Sequence, residues 1–120
     1  MESHSAIEWS RAFETVGGDK QLLCELMKVF TEEQASLVAA VQNAIATKNA
    51  KELKLRAHSI KGALTHLGAV HCSKLAATLE KMGADDLFLE AENVVEELIQ
   101  ALQSAVSEMN KFIDENNEPT

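Results

Sequence analysis

The length, composition and charge of the chain already exclude several classes of protein. Its 120 residues are 46% hydrophobic and 25% charged, which fits one globular domain over residues 1–120 and excludes disorder throughout. Nineteen acidic and eleven basic residues give a net charge of −8, which disfavours nucleic-acid binding. No apolar run approaches the ~20 residues of a membrane span, and no secretion signal is recognisable. The two cysteines are not spaced like metal ligands, which fits a reducing compartment. We therefore expect a cytoplasmic protein with no membrane insertion.

The first two predicted helices lie in the N-terminal third of the chain. A short helix spans about Ile7 to Val16 and ends at the glycine pair 17–18. Asp19 is the predicted N-cap of a long second helix, because its carboxylate can accept a backbone N–H of the first turn. The apolar stripe of this second helix, which we expect to be buried, consists of Leu23, Leu26, Phe30, Leu37, Val41 and Ala44.

Three further helices are predicted after residue 49. The third is expected to end near Gly68, and its apolar stripe is Leu53, Ala57, Ile60, Leu64 and Leu67. The fourth is expected to end at Gly83 in a left-handed conformation, and Asp85 and Asp86 are expected to open the fifth. The fifth helix shows one continuous apolar seam, formed by Phe88, Ala91, Val95, Leu98, Leu102, Ala105, Met109 and Phe112.

These elements predict an all-α fold. Four long amphipathic helices with short connections favour an antiparallel up-down-up-down four-helix bundle, with the short extra N-terminal helix capping one end. Frayed tails are expected at about residues 1–5 and 116–120.

The solvent face of the third helix has an unusual composition. At 100° per residue, the positions opposite the apolar stripe are Lys54, His58, Lys61, Gly62 and Thr65. A glycine inside a helix costs about 1 kcal/mol relative to alanine, and on a solvent face no packing offsets that cost. We therefore expect Gly62 to let another surface approach closely, the alternative being sequence drift at an exposed site.

Positive charge is concentrated around His58. Between Lys48 and Lys61 there are five basic residues and one acidic residue, a segment charge of +4, so the rest of the chain carries −12. This predicts a partner with negative charge. The alternative is a solvated helix end, which accounts for Lys48 and Lys51 but not for His58 together with Gly62.

Glu80 is predicted to lie beside His58. Both residues are eleven positions from Ala69, so a hairpin about Gly68 and Ala69 places them level, roughly 16 Å from the turn. A carboxylate that accepts the Nδ1 proton would leave Nε2 as a nucleophile. Alternatively, Glu80 is an ordinary residue at the core boundary.

The sequence resembles the histidine-containing phosphotransfer (HPt) domain family over nearly its whole length. The residues that carry the resemblance are Ala57-His58-Ser59-Ile60-Lys61-Gly62-Ala63, Leu67-Gly68-Ala69 and Leu79-Glu80, with Trp9, Gly17-Gly18-Asp19 and Phe30 in the N-terminal half. Two positions depart from the family pattern: Leu64, where a small residue is frequent, and His66.

The resemblance implies a role for each matching residue. His58 would be the phosphoacceptor, Lys61 would lie near the phosphoryl group, and Glu80 would orient the imidazole ring. Gly62 would clear space for the partner. Apart from the resemblance, we expect Lys54 and Thr65 to contribute to docking because they share the solvent face of the third helix with His58.

The resemblance also implies a function, a phosphocarrier that takes a phosphoryl group from one receiver aspartate and passes it to another. The expected partners are response-regulator receiver domains and a hybrid sensor histidine kinase, and the chain would be either a free-standing monomer or a module of such a kinase. It would need no cofactor, since magnesium belongs to the receiver. No Gly-rich phosphate loop or kinase catalytic loop is present, so we expect a transfer intermediate and not an enzyme with its own ATP site.

Two alternatives come from other classes. A metal-binding bundle could use His58, His66, His71, Cys72 or Glu80, although no Glu-x-x-His motif of the di-iron type occurs. A purely structural or interaction bundle would use the basic patch only to dock an acidic protein.

Overall fold

Five α-helices make up the part of the protein that the structure describes. The computed structural model describes residues 5–116, and that range contains no β-strand. The helices are α1 (Trp9–Thr15), α2 (Lys20–Ala46), α3 (Ala50–His66), α4 (Val70–Ala84) and α5 (Phe88–Asn116). None of these helices combines the length and apolar character needed to cross a bilayer.

The four long helices close a ring. α2 packs against α3 and α5, α4 packs against the same two helices, and α1 lies on α2 and α3. Because the connections between successive long helices are only a few residues long, neighbours run antiparallel. The predicted all-α four-helix bundle with a short extra N-terminal helix is confirmed.

Side chains and glycines define several of the helix ends. The Asp19 carboxylate accepts a hydrogen bond from the Leu22 backbone N–H, which confirms the predicted N-cap of α2. Asn49 caps α3 in the same way through Glu52 N–H. Gly17 and Gly18 follow α1 with φ of +60° and +83°, a conformation that glycine adopts without strain.

The connection between α4 and α5 differs from the prediction. Gly83 is a buried residue within α4, and the left-handed conformation is taken by Asp86, with φ of +57°. Asp85 is the C-cap of α4, and α5 begins only at Phe88. Gly83 is therefore not the predicted left-handed cap, and the two aspartates do not open the last helix. The reason is that Gly83 lies at a close contact between α3 and α4.

The core contains most of the predicted stripe residues, but Phe88 and Phe112, at the two ends of the α5 seam, are only partly buried. All five stripe residues of α3 are buried, as are the α5 positions from Ala91 to Met109 that the seam predicts. In α2 the buried face is rotated away from Leu26, which is 39% exposed, and Leu37 is only partly buried. The buried residues of α2 are Leu23, Cys24, Met27, Phe30, Val38, Val41, Ala44 and Ile45. This rotation follows from the packing of α2 against both α3 and α5.

The N-terminal segment holds the end of the bundle where α3 turns into α4. Glu8 N–H donates to the carbonyl of Gly68 over 2.7 Å, and Ile7 is buried. Ser5 Oγ lies 2.8 Å from the Ile7 carbonyl oxygen and 2.5 Å from Glu108 Oε1 of α5, and its single proton is donated to one of these two oxygens. The remaining residues for which fraying was predicted, 1–4 and 117–120, lie outside the described range, and Asn116 is the last residue of α5.

Candidate functional site

His58 and Glu80 meet on the outside of the bundle. His58 Nδ1 lies 2.9 Å from Glu80 Oε2, and the His58 side chain is 64% exposed. The contact arises because α3 and α4 form a hairpin about the turn at Gly68 and Ala69, and His58 and Glu80 are equally far from that turn along the chain. The spacing argument about Ala69 therefore predicted a contact that the structure contains.

Lys61 holds the other oxygen of the same carboxylate. Its Nζ donates to Glu80 Oε1 over 2.6 Å, one turn along α3 from His58. The side chains of Lys61 and Glu80 are 31% and 21% exposed, so the pair is partly shielded from water. The spacing of the sequence does not predict this ion pair, although residues at i and i+3 of a helix share a face and can both reach one carboxylate on a neighbouring helix.

The two contacts favour the ionised form of Glu80. The hydrogen bond from Lys61 is the main reason why the pKa of Glu80 lies below its ordinary value, with a smaller contribution from the hydrogen bond to His58. Partial burial acts in the opposite direction and is outweighed. An ionised carboxylate only accepts hydrogen bonds, so Nδ1 of a neutral His58 imidazole carries the proton and Nε2 carries the lone pair.

Gly62 lies on open surface. No atom outside its own helix lies within 4 Å of the position that a Cβ would occupy. The residue has helical conformation with no positive φ, so the backbone does not require glycine here. The unobstructed surface beside His58 is what close approach by a partner needs.

Thr65 and Lys54 differ in how far they are available to a partner. The Thr65 hydroxyl donates to the Lys61 carbonyl over 2.8 Å and shares a 2.6 Å hydrogen bond with Ser73 Oγ of α4. It is therefore engaged in the contact between α3 and α4. Lys54 is exposed on the same face as His58.

The basic segment is partly neutralised within the fold. Arg56 Nε lies 3.2 Å from a Glu52 carboxylate oxygen, and Lys61 is paired with Glu80. Lys48, Lys51 and Lys54 are exposed. Glu52 is already included in the +4 counted from the sequence, so only the pairing of Lys61 with Glu80 lowers the positive charge offered to a partner. The charge that remains lies at the N-terminal end of α3.

An apolar groove lies between α2 and α3, beginning beside Gly62. Its volume is about 450 Å³, and Ala63 of α3 forms the edge nearest to His58. The residues that line it are Thr15, Leu26, Val29, Phe30, Glu33, Leu37, Ala63, His66 and Leu67. Leu26 and Val29 are 39% and 52% exposed, and with Leu22 they form a second apolar stripe on α2. The three-and-four spacing of these residues is visible in the sequence. The prediction that Leu26 is buried in the core is wrong, because the residue lies on this exposed stripe.

His66, His71 and Cys72 do not join the site. Among residues 5–116 no group of three His, Cys, Asp or Glu side chains is arranged to hold a metal ion. Cys72 is buried in the core, and burial raises the pKa of its thiol to about 11, which disfavours the thiolate. His66 and His71 are exposed, and the His66 carbonyl accepts a hydrogen bond from Thr15.

Together these features define a helical bundle on whose surface the His58 imidazole is held by a carboxylate. Residues 25–110 match the family model of the Hpt domain, which is more than half of the chain, and the protein belongs to this family. Hpt domains are histidine phosphotransfer modules of phosphorelays that interact with receiver domains and kinases and lack a catalytic ATP site of their own. No curated protein and no solved structure shows a significant match to the chain.

Proposed function

We propose that the protein is a histidine phosphocarrier that takes a phosphoryl group from the aspartyl phosphate of one receiver domain and passes it to the aspartate of another. The observation that carries this proposal is the exposed His58 imidazole whose Nδ1 is bonded to Glu80. This arrangement makes Nε2 the nitrogen that is available to a partner. We extend the proposal to a cytoplasmic monomer in which residues 1–120 form one domain, either free-standing or part of a hybrid sensor kinase.

The transfer step follows from the chemistry of the ring. The Nε2 lone pair attacks phosphorus, the P–O bond to the donor aspartate breaks, and the donor leaves as a carboxylate. The product is a phosphoramidate whose ring carries positive charge while Nδ1 remains protonated. Glu80 stabilises that charge because its oxygen is 2.9 Å from Nδ1. Transfer to the second receiver reverses these steps, and any magnesium ion would belong to the receivers.

Lys61 has two successive roles in this proposal. Before transfer its ammonium fixes the Glu80 carboxylate through the 2.6 Å hydrogen bond. Once a phosphoryl group is bound to Nε2, Lys61 can pair with the phosphoryl oxygens in place of Glu80. These oxygens carry two negative charges and lie on the same face of α3. Lysine suits such an exchange because its ammonium is a point charge on a flexible stem.

The groove supports a protein as the phosphodonor. An apolar stripe of Leu22, Leu26 and Val29 gives a receiver a surface to bury, and open space at Gly62 lets its active site close over His58. Lys54 supplies positive charge toward the acidic pocket of a receiver. Thr65, whose hydroxyl is used inside the protein, contributes to the position of α3 and not to docking through that hydroxyl.

Replacement of the histidine tests the proposal. His58→Gln is expected to fold normally, because the side chain is exposed, and to accept no phosphate from a phosphorylated receiver. The wild-type protein should gain an acid-labile, alkali-stable phosphoryl group, and matched controls His66→Gln and His71→Gln should retain it. Circular dichroism should give the same spectrum for all four proteins. Phosphorylation of His58→Gln, or its loss in either control, would contradict the assignment.

A further inference from the structure

We infer that Gly83, three residues after Glu80 in α4, is a positioning residue that sets the distance between the Glu80 carboxylate and the His58 imidazole. The inference rests on the proposed function of His58, but its geometric part can be measured without any phosphotransfer.

The backbones of α3 and α4 are in close contact at Gly83. A Cβ on residue 83 would lie 2.7 Å from the Lys54 backbone nitrogen, 3.1 Å from Lys54 Cα and 3.2 Å from the Ala50 carbonyl oxygen. All three are backbone atoms of α3, and they cannot rotate away as the end of a side chain can. At Gly62, by contrast, a Cβ meets nothing within 4 Å.

The close contact and the carboxylate–imidazole contact lie along the same seam. Lys54 precedes His58 by four residues on α3, and Gly83 follows Glu80 by three on α4. In antiparallel helices these offsets place the two contacts about one turn apart. The separation of the helix axes at Gly83 therefore determines how far Glu80 must reach to His58.

A methyl group at residue 83 would push the helices apart. To reach an ordinary contact of about 3.4 Å, the Lys54 nitrogen and the new carbon would have to separate by about 0.7 Å. If Glu80 moved with α4, its 2.9 Å contact with His58 Nδ1 would lengthen to about 3.6 Å, which is no longer a hydrogen bond. The 2.6 Å contact with Lys61 would remain within bonding range, so the carboxylate would keep the lysine and lose the histidine.

The experiment measures the protonation of the two ring nitrogens. The ¹⁵N shifts of His58 in mildly alkaline buffer, where free imidazole is neutral, report whether Nδ1 or Nε2 carries the proton. The wild-type protein should show mainly Nδ1–H, and Gly83→Ala should shift toward the mixture shown by free histidine. Loss of one hydrogen bond should also slow phosphorylation of His58 by phosphoramidate by about threefold to tenfold.

Two further variants make the result specific. Val41→Ala removes buried volume from α2, away from the seam, and should lower the melting temperature without changing the His58 tautomer. Glu80→Asp retracts the carboxylate while leaving the contact at Gly83, and should reproduce the tautomer shift.

The outcomes separate this inference from the proposed function. A wild-type tautomer in a folded Gly83→Ala protein would overturn the inference, and so would a Gly83→Ala protein that circular dichroism shows to be unfolded, because the glycine would then serve the fold alone. The same shift in Val41→Ala would also overturn it. If Gly83→Ala shifts the tautomer but wild-type His58 accepts no phosphate from any receiver, the positioning role stands and the proposed function fails.

Discussion

Gly62→Gln separates docking from chemistry, because it should raise stability and lower transfer from a protein donor. Gly62 has helical conformation and open space at its Cβ position, so glutamine fits without strain. Its higher helix propensity should stabilise the protein by about 0.5–1 kcal/mol. For a domain of this size, that corresponds to a melting temperature higher by about 2–6 °C.

The same side chain should obstruct a receiver. Residue 62 is one turn from His58 on the same face of α3, and the apolar groove begins at its neighbour Ala63. Glutamine would stand where the partner surface must approach, but it would not alter the contact between Nδ1 and Glu80. Transfer from a phosphorylated receiver should therefore fall, while slow phosphorylation by phosphoramidate should keep its wild-type rate.

Two measurements decide the outcome. Thermal unfolding followed by circular dichroism gives the stability, and the two phosphorylation rates are compared in the same buffer. Gly62→Ala is the matched control, since it gains helix propensity with far less bulk. A lower melting temperature for Gly62→Gln would refute the statement that the site is open. An equal loss in both phosphorylation rates would show that the glycine shapes the histidine and not the docking surface.

Two further predictions concern the charges around His58. Lys61→Ala should slow transfer from a receiver by an amount equivalent to about 1–3 kcal/mol in activation free energy, without abolishing it. If the variant transfers at the wild-type rate even at low salt, Lys61 has no role in transfer and is only a solvated surface charge. The pKa of Glu80 is lower in the folded protein than its ordinary value of 4.5, so the unfolded chain binds the proton more readily. The resulting stabilisation should be fully present above that value and lost as the pH falls through the lower folded pKa. Urea unfolding at a series of acidic pH values should show this loss in the wild type and a weaker one in Glu80→Gln, and identical pH profiles would contradict the assignment.

The sequence predicted those parts of the structure that depend on periodicity and counting. The buried face of α3 follows from the recurrence of Leu53, Ile60 and Leu64, and the contact between His58 and Glu80 follows from equal spacing about the turn. Both are properties of one helix or one hairpin, so no knowledge of the other elements is needed.

Features that depend on how helices pack were missed. Glycine favours helix ends, so the sequence predicts a cap at Gly83, whereas its role in close packing depends on where α3 passes α4. The apolar spacing of α2 predicts that Leu26 is buried, but it does not define which apolar positions face the two neighbouring helices, and Leu26 is exposed. The ion pair between Lys61 and Glu80 depends on the reach of two flexible side chains, which spacing alone does not define.

The placement of the aromatic residues makes the protein its own optical probe. Trp9 is the only tryptophan, and the chain has no tyrosine, so its emission reports on one corner of the molecule. There its ring lies 5.0 Å from that of Phe112 at the end of α5 and 6.4 Å from that of Phe13, measured between centroids. A change in fluorescence therefore signals that α1 has left α5, whereas far-ultraviolet ellipticity follows all five helices. Release of the N-terminal helix can thus be distinguished from melting of the bundle without any added label.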